Sequence, residues 1–244
     1  LYAGTWGPSA LEYAERVTYL PLGLVGTAFA TVLLPTFAKH AADDDHELMR
    51  ATLERAMRTI AVIMVPMSVG LTVLALPIIN LLYTWHSGKF DAQSALYSSR
   101  ALMGYAPGLL AFSFYQALTP AFYALKDMRT PLKCSVICVA LNFSLNLLFV
   151  FTWADGWKHV GLAVATVLSS LANCVMLARE LHQKFGAPRF HSVLPAVART
   201  AALSLVMGAA AYYSEREISQ FLTSSGWPYK LVELSAVGGA MAVG

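Results

Sequence analysis

Five stretches of this 244-residue chain, 17–38, 59–85, 101–125, 134–154 and 160–178, contain no Asp, Glu, Lys or Arg. An α-helix needs about 20 apolar residues to cross ~30 Å of hydrocarbon, and each stretch meets or nearly meets that length. A charged side chain at mid-bilayer costs about 2.5–3.5 kcal/mol. A chain that confines its charges to the gaps between such runs is therefore suited to threading back and forth through a membrane. Backbone polar groups find no water in hydrocarbon, so open spans must satisfy themselves as helices. The composition agrees: 57% hydrophobic and 13% charged residues lie outside the balance of a soluble domain. The expected fold class is all-α integral membrane, a multi-spanning helical bundle.

A sixth uncharged run, 200–214, reaches spanning length if Arg199 snorkels and residues 192–198 join it. A seventh begins near Leu231 and meets Gly244 in mid-span. The chain starts at Leu1 with neither an initiator Met nor a signal peptide, so the expectation is a segment of a larger membrane protein. Residues 1–182 form its core of five transmembrane helices, with an interfacial helix near 44–58. Residues 183–244 hold the last two transmembrane helices, the final one truncated.

Basic residues set the orientation, because Lys and Arg accumulate in short cytoplasmic loops. Loops 39–58, 126–133 and 179–199 hold 11 of the 17 Lys and Arg, and these are expected on the cytoplasmic side. Arg16 then enters from the outer side. Trp85, Trp153, Trp157 and Trp227 fall at the outer ends of spans, where amphipathic rings favour the headgroup layer. Cys134, Cys138 and Cys174 fall near inner ends, a reducing setting in which no disulfide is expected. Cys134 and Cys138 have no nearby His or third thiolate and are read as small helix-packing residues rather than a metal pair. All six histidines are placed in loops and read as solvated groups. Asp44 and Glu47 stand at capping-box spacing, and Leu48, Met49, Leu53 and Met57 follow on one broad face.

Six prolines fall inside three consecutive spans: Pro21 and Pro35, Pro66 and Pro77, Pro107 and Pro120. Each removes a backbone donor and favours a kink. In a membrane the freed carbonyls need neighbouring helices or water, so repeated kinks suit helices that bend around a cavity. No Gly-rich phosphate loop follows a strand, and no nucleophile and base stand at a recognisable spacing, so the chain is not expected to be an enzyme. A formal net charge of +3 is explained by topology and gives no reason to invoke nucleic acid. Transport, or partner binding within the bilayer, is the function class that is left.

The first span reads Tyr13-Ala14-Glu15-Arg16, then Leu20-Pro21-Leu22-Gly23 and Thr31-Val32-Leu33-Leu34-Pro35. It resembles the MurJ/MviN lipid II flippases of bacterial peptidoglycan synthesis. Phe122-Tyr123-Ala124-Leu125-Lys126-Asp127-Met128-Arg129-Thr130-Pro131 is similar to that family's inner-loop segment, and Gly88-Lys89-Phe90 occupies its outer-loop position. The resemblance extends from about Ser9 to His182 through Asn142, Asn146 and 161–166. It implies helices eight to fourteen of a fourteen-helix transporter of the MATE-like multidrug/oligosaccharidyl-lipid/polysaccharide exporter (MOP) superfamily, with 1–182 as the core of its C-terminal lobe. The implied activity is flipping of lipid II by alternating access in the cytoplasmic membrane. The implied partners are lipid II, membrane lipids and an N-terminal half of the same protein, in a monomer. Another exporter of the superfamily, or a membrane scaffold that transports nothing, is the alternative.

The resemblance also assigns residues. Arg16 matches a cavity arginine, Ser9 aligns with a polar cavity-facing position, and Glu15 accompanies them as a substrate-facing candidate. A guanidinium suits a diphosphate because its planar fork keeps its proton when desolvated. Snorkelling to the interface beside Glu15 is the plainer role for Arg16. Tyr19 departs from the family, where a polar or acidic residue is usual. Asn142 and Asn146 share one face of a helix, and with Thr166 and the Leu162 carbonyl they match a sodium site of some members. Asn146 stands where a matching side chain is an aspartate, and a neutral amide holds a hard cation more weakly. Interhelical hydrogen bonding is the other role these residues suit. No organic cofactor is implied. The last two spans correspond to helices that form a groove for the polyprenyl tail, and Gly208 to Ala211 and Gly238 to Ala240 would permit such a groove or close packing.

Overall fold

The computed structural model describes residues 6–84, 90–154, 156–185, 190–224, 234–235 and 237–239. Among these residues the regular structure is entirely helical. Helix α1 (Trp6–Pro21) passes through a π-helical turn (Leu22–Gly26) into α2 (Thr27–Ala42). Then come α3 (His46–Val73), α4 (Ala75–Tyr83) and α5 (Ala92–Tyr105). A 3-10 turn (Ala106–Gly108) joins α5 to α6 (Leu109–Ala124), and α7 (Arg129–Thr152), α8 (Lys158–Phe185) and α9 (Phe190–Ser224) follow. Among the described residues, five helical segments have the length and apolarity to cross a membrane: Gly7–Ala42, His46–Val73, Arg129–Thr152, Lys158–Lys184 and Val193–Ile218. The expected last span lies largely outside the described residues, as do Trp85, His86, Gly88, Lys89 and Trp227.

Proline accounts for where the uncharged runs break. Pro77 cannot donate to the Val73 carbonyl, and α3 ends at Val73 with the chain turning at Leu74. Pro107 falls in the 3-10 turn that divides the third run into α5 and α6. Pro21 closes α1, and the π turn directly after it widens the helix. Pro35, Pro66 and Pro120 stay inside continuous helices. The hydroxyl of Thr27 donates to the Gly23 carbonyl within the widened turn.

The segment anticipated as a separate interfacial helix near 44–58 makes up the first turns of α3, which runs unbroken to Val73. Its sequence offers no Gly or Pro between Asp45 and Pro66 at which to stop. Its cap is Asp45 rather than Asp44: Asp45 Oδ1 accepts from the Leu48 amide at 2.9 Å. Asp44 instead takes the left-handed turn position at φ 55°, which a short polar side chain tolerates. Met49, Leu53 and Met57 are buried as their spacing predicts, whereas Leu48 is 48% exposed.

Two apolar clusters hold the helices together. Phe37, Leu53, Met57, Ile60, Leu118, Phe122 and Leu177 join α2, α3, α6 and α8. Val17, Ile78, Ile79, Leu102 and Ala163 join α1, α4, α5 and α8. Helix α7 buries little of itself and exposes Val136, Ile137, Phe143 and Phe151, a surface that hydrocarbon solvates without cost. Helix α9 lies against α3, and a Cβ added to Gly208 would stand 2.6 Å from Val69 Cγ1. Close packing is therefore what Gly208 provides. The three cysteines are buried and unbridged, and Cys174 donates to the Ala111 carbonyl at 2.9 Å. The described histidines sit in helices rather than loops: His40 in α2, His46 in α3, His159 and His182 in α8, His191 in α9. His159 is fully buried, with Nε2 3.1 Å from the Tyr97 carbonyl.

The segment 122–131 builds the turn from α6 to α7. Lys126 takes φ 57°, and Asp127 Oδ1 then accepts from the amides of Arg129 (3.2 Å) and Thr130 (3.1 Å) at the start of α7. Pro131 sits in the first turn of α7, where a missing N–H costs nothing. From α8, Lys184 Nζ pairs with Asp127 Oδ2 and donates to Thr130 Oγ1 at 3.1 Å. Lys184 and Thr130 hold the Asp127 carboxyl well below the usual carboxylate range. A depressed carboxylate stabilises the fold fully above its unfolded value near ~4, and that contribution fades as pH falls towards the folded value. Asp127→Ala is expected to cost about 1 kcal/mol through the lost cap. Asp127→Asn, which keeps an acceptor but not the charge, costs less. Thermal unfolding in detergent at pH 7 and pH 3 checks both, with the difference between wild type and Asp127→Asn shrinking at pH 3.

Candidate functional site

The 3.6-residue period of α1 sorts its polar residues onto two faces. Ser9, Glu12 and Arg16 follow one exposed stripe. Ala10, Ala14 and Val17 form the buried stripe, and Glu15, Thr18, Tyr19 and Leu22 turn towards a cavity inside the lobe. Consecutive residues lie about 100° apart on a helix, so Glu15 and Arg16 face different spaces. The boundary pair expected from the sequence does not form. Arg16 instead places Nη2 2.6 Å from Oε1 of Glu12, one turn earlier, with 65% of the Arg16 side chain exposed. The structure thus gathers Ser9 and Arg16 on one face and separates Glu15 from them.

An aromatic group fixes the start of α1. The ring of Tyr13 lies 4.6 Å from that of Tyr83 and 5.1 Å from that of Phe90. The Tyr83 hydroxyl also donates to the Tyr13 carbonyl at 3.4 Å. These rings tie α1 to the end of α4 and to Phe90, two residues before α5, and so set the direction of the Arg16 stripe. Tyr13 and Phe90 each stood in a recognised motif, but their contact crosses more than 70 residues and no spacing rule exposes it.

The cavity, about 290 Å³, lies between α1, α6 and α8 and the end of α5. Glu15, Tyr19, Tyr105, Tyr115, Thr166 and Asn173 are among its walls. Tyr19 is 56% exposed and stands at its rim. Gln116, another wall residue, lies against Gly26 at the end of the π turn, where any side chain would displace its amide.

The other candidate group does assemble. Asn146 Nδ2 donates to Asn142 Oδ1 at 2.9 Å. Asn142 Nδ2 reaches across from α7 to Ser169 Oγ (3.1 Å) and Thr166 Oγ1 (3.5 Å) on α8. Thr166 Oγ1 donates to the Leu162 carbonyl at 3.0 Å. Ser169 was absent from the sequence-derived set, although its place three residues after Thr166 puts it on the same face. The amide nitrogen of Asn142 is turned towards the hydroxyls, and Asn146 Oδ1 is buried without a hydrogen-bond partner. The four residues offer neutral oxygens and no carboxylate, and among the described residues no group of three or more His, Cys, Asp or Glu is placed to hold a metal ion. As arranged, the set fits hydrogen bonding between α7 and α8 better than a hard cation.

Comparison with known proteins gives a consistent result. The family model described as Lipid II flippase MurJ matches residues 3–231. A probable lipid II flippase MurJ of Vibrio cholerae is 35% identical over 174 residues, covering 71% of this chain and 32% of that protein. Those of Haemophilus influenzae and Rickettsia prowazekii are 32% and 30% identical, covering 94% and 97% of this chain and 46% and 45% of their own lengths. The chain thus spans about a third to a half of the curated relatives it matches. A solved structure of lipid II flippase MurJ in an inward closed conformation shares the fold, with TM-score 0.72 at 23% identity over 97% of this chain and 45% of that one. The matched model covers almost every residue from which the two faces of α1 and the α7–α8 contacts are built, and the chain belongs to the MurJ family of lipid II flippases, multi-pass proteins of the bacterial inner membrane.

Proposed function

We propose that this chain acts as the C-terminal lobe of a lipid II flippase, carrying the headgroup of the lipid-linked peptidoglycan precursor across the membrane by alternating access. Its partner is an N-terminal half of the same protein, and the full-length protein works as a monomer surrounded by membrane lipids. No bond of the substrate is made or broken. The face bearing Ser9 and Arg16 is the one that meets the headgroup, and loops 39–58, 126–133 and 179–199 face the cytoplasm. The observation that carries this reading is the position of Arg16. Hydrocarbon would make an exposed guanidinium on a membrane-crossing helix expensive, so its stripe belongs against a polar space. A guanidinium there offers planar, permanently charged donors to a diphosphate. The pairing with Glu12 favours one other role, a charge pair settled in the headgroup layer. In the full-length protein, Arg16→Ala is expected to abolish complementation of flippase-depleted cells while membrane levels stay normal. Arg16→Lys retains part of the activity, since it keeps the charge and loses the fork. Normal growth of Arg16→Ala would assign Arg16 to the interfacial pair.

We read Asn142, Asn146, Leu162 and Thr166, joined by Ser169, as a polar clamp between α7 and α8 in this protein. Asn142→Ala removes both links to α8 and is expected to cost about 1 kcal/mol, the scale of interhelical hydrogen bonds in membranes. Exchange of sodium for potassium should leave thermal stability unchanged in wild type and variant alike. A sodium-specific stabilisation that Asn142→Ala abolishes would make the cluster a cation site instead.

A further inference from the structure

Among the described residues, Glu15 is the one acidic residue on the wall of the cavity inside the lobe, and no Lys, Arg or His lines that wall to balance it. Arg16, the nearest cation in sequence, is turned onto the other face and occupied with Glu12. Four aromatic rings, those of Tyr19, Tyr105, Phe112 and Tyr115, share the cavity wall with Glu15. Gln116 and Asn173, also on the wall, each carry a buried amide oxygen with no hydrogen-bond partner.

A carboxylate, spare amide acceptors and several aromatic faces share one complement, which is a cationic donor. Ring faces attract cations, most strongly where water is excluded, and unpaired buried acceptors favour a ligand that brings N–H groups. The size of the space chooses among cations. A bare alkali or alkaline-earth ion needs about six oxygens closed tightly around it. A cavity of about 290 Å³ with four rings in its wall is too roomy for that and suits a larger organic cation.

We propose that this cavity is a binding site for a primary ammonium group on a flexible chain, with Glu15 as the counter-charge and the rings as its walls. Resting on the flippase reading above, the ligand is an amine carried by the peptide of the lipid-linked precursor, and the cavity is a subsite that reads that peptide.

The site can be tested on the full-length protein in detergent, without transport. The probe is Nα-acetyl-lysine amide, with its Nε-acetylated form as the uncharged control. The charged probe is expected to raise the thermal stability of the wild type, the control is not, and Glu15→Gln should weaken the charged probe at least tenfold. Tyr115→Leu, which keeps the carboxylate and removes a ring, should weaken it severalfold and stands in should Glu15→Gln fail to fold. Equal stabilisation by charged and acetylated probes, no stabilisation by either, or equal stabilisation by sodium chloride at matched ionic strength overturns the proposal. Arg16→Ala is expected to keep probe binding while losing flipping, so the two readings fail separately: probe binding can vanish with Arg16 still essential, or persist with Arg16 dispensable.

Discussion

The lobe rests on how closely α8 approaches its neighbours. Lipid tails are as apolar as leucine, so helices gain nothing by hiding hydrophobic surface from them and must associate through close packing and hydrogen bonds. Helix α8 touches α1, α5, α6 and α7, and small residues mark its contacts. A Cβ on Gly104 of α5 would stand 2.9 Å from Cβ of Ala163, and one on Gly161 would stand 2.8 Å from Cβ of Phe149 on α7. Ala163, Ala165, Leu177 and Leu181 are all buried along α8. The polar contacts converge on the same helix: Asn142 on Thr166 and Ser169, the Ala111 carbonyl on Cys174, Asp127 on Lys184. Thr166 both receives the Asn142 amide and lines the cavity, so one side chain joins the α7–α8 contact to the cavity wall.

The prolines fit into this frame as devices that trade backbone hydrogen bonds for shape. Where Pro21 is followed by a π turn, the widened backbone carries Gly26 up to Gln116 and leaves Leu22 on the cavity wall. At Pro107 the 3-10 turn redirects the chain, so that Tyr105 at the end of α5 and Phe112 on α6 both reach the cavity. A straight helix through either position would not have brought these groups together. Pro35, Pro66 and Pro120 lie in helices that continue past them.

That distinction marks how far the sequence could be read. Uncharged runs pointed to the helices long and apolar enough to span, because membrane burial acts on single residues, but the run 101–125 is divided by the 3-10 turn and is not among them. The run 59–85 looked like one helix, yet it divides at Leu74, because whether Pro77 breaks or bends a helix depends on neighbours absent from a linear pattern. Asp44 stands at capping-box spacing from Glu47, yet the turn at φ 55° takes Asp44 and leaves the cap to Asp45. His159 looked like a loop residue because Asp155 and Lys158 flank it, but it faces Tyr97 and is buried. The separation of Glu15 from Arg16, and the Glu12–Arg16 partnership, were both open to plain helical arithmetic. The Glu15-Arg16 dipeptide drew attention to adjacency where the i,i+4 relation governs contact. The cavity was not legible, since its walls come from four helices.

The Glu12–Arg16 pair gives the exposed face of α1 a property that a lone arginine would lack. Paired, the face is close to neutral, and Glu12 occupies the position an incoming anion would take. The contact is itself a hydrogen bond from a guanidinium to a charged acceptor, and its exposure keeps its net contribution to about 0–1 kcal/mol. Under the proposed function, an incoming diphosphate would compete with Glu12 for the same donors, and little stability would be lost in the exchange. Glu15 is positioned for the opposite arrangement, inside the lobe with no cation among the described wall residues to exchange. Two carboxylates three residues apart on one helix thus suit ligands of opposite charge, because Glu12 must be displaced for its face to bind and Glu15 must be neutralised.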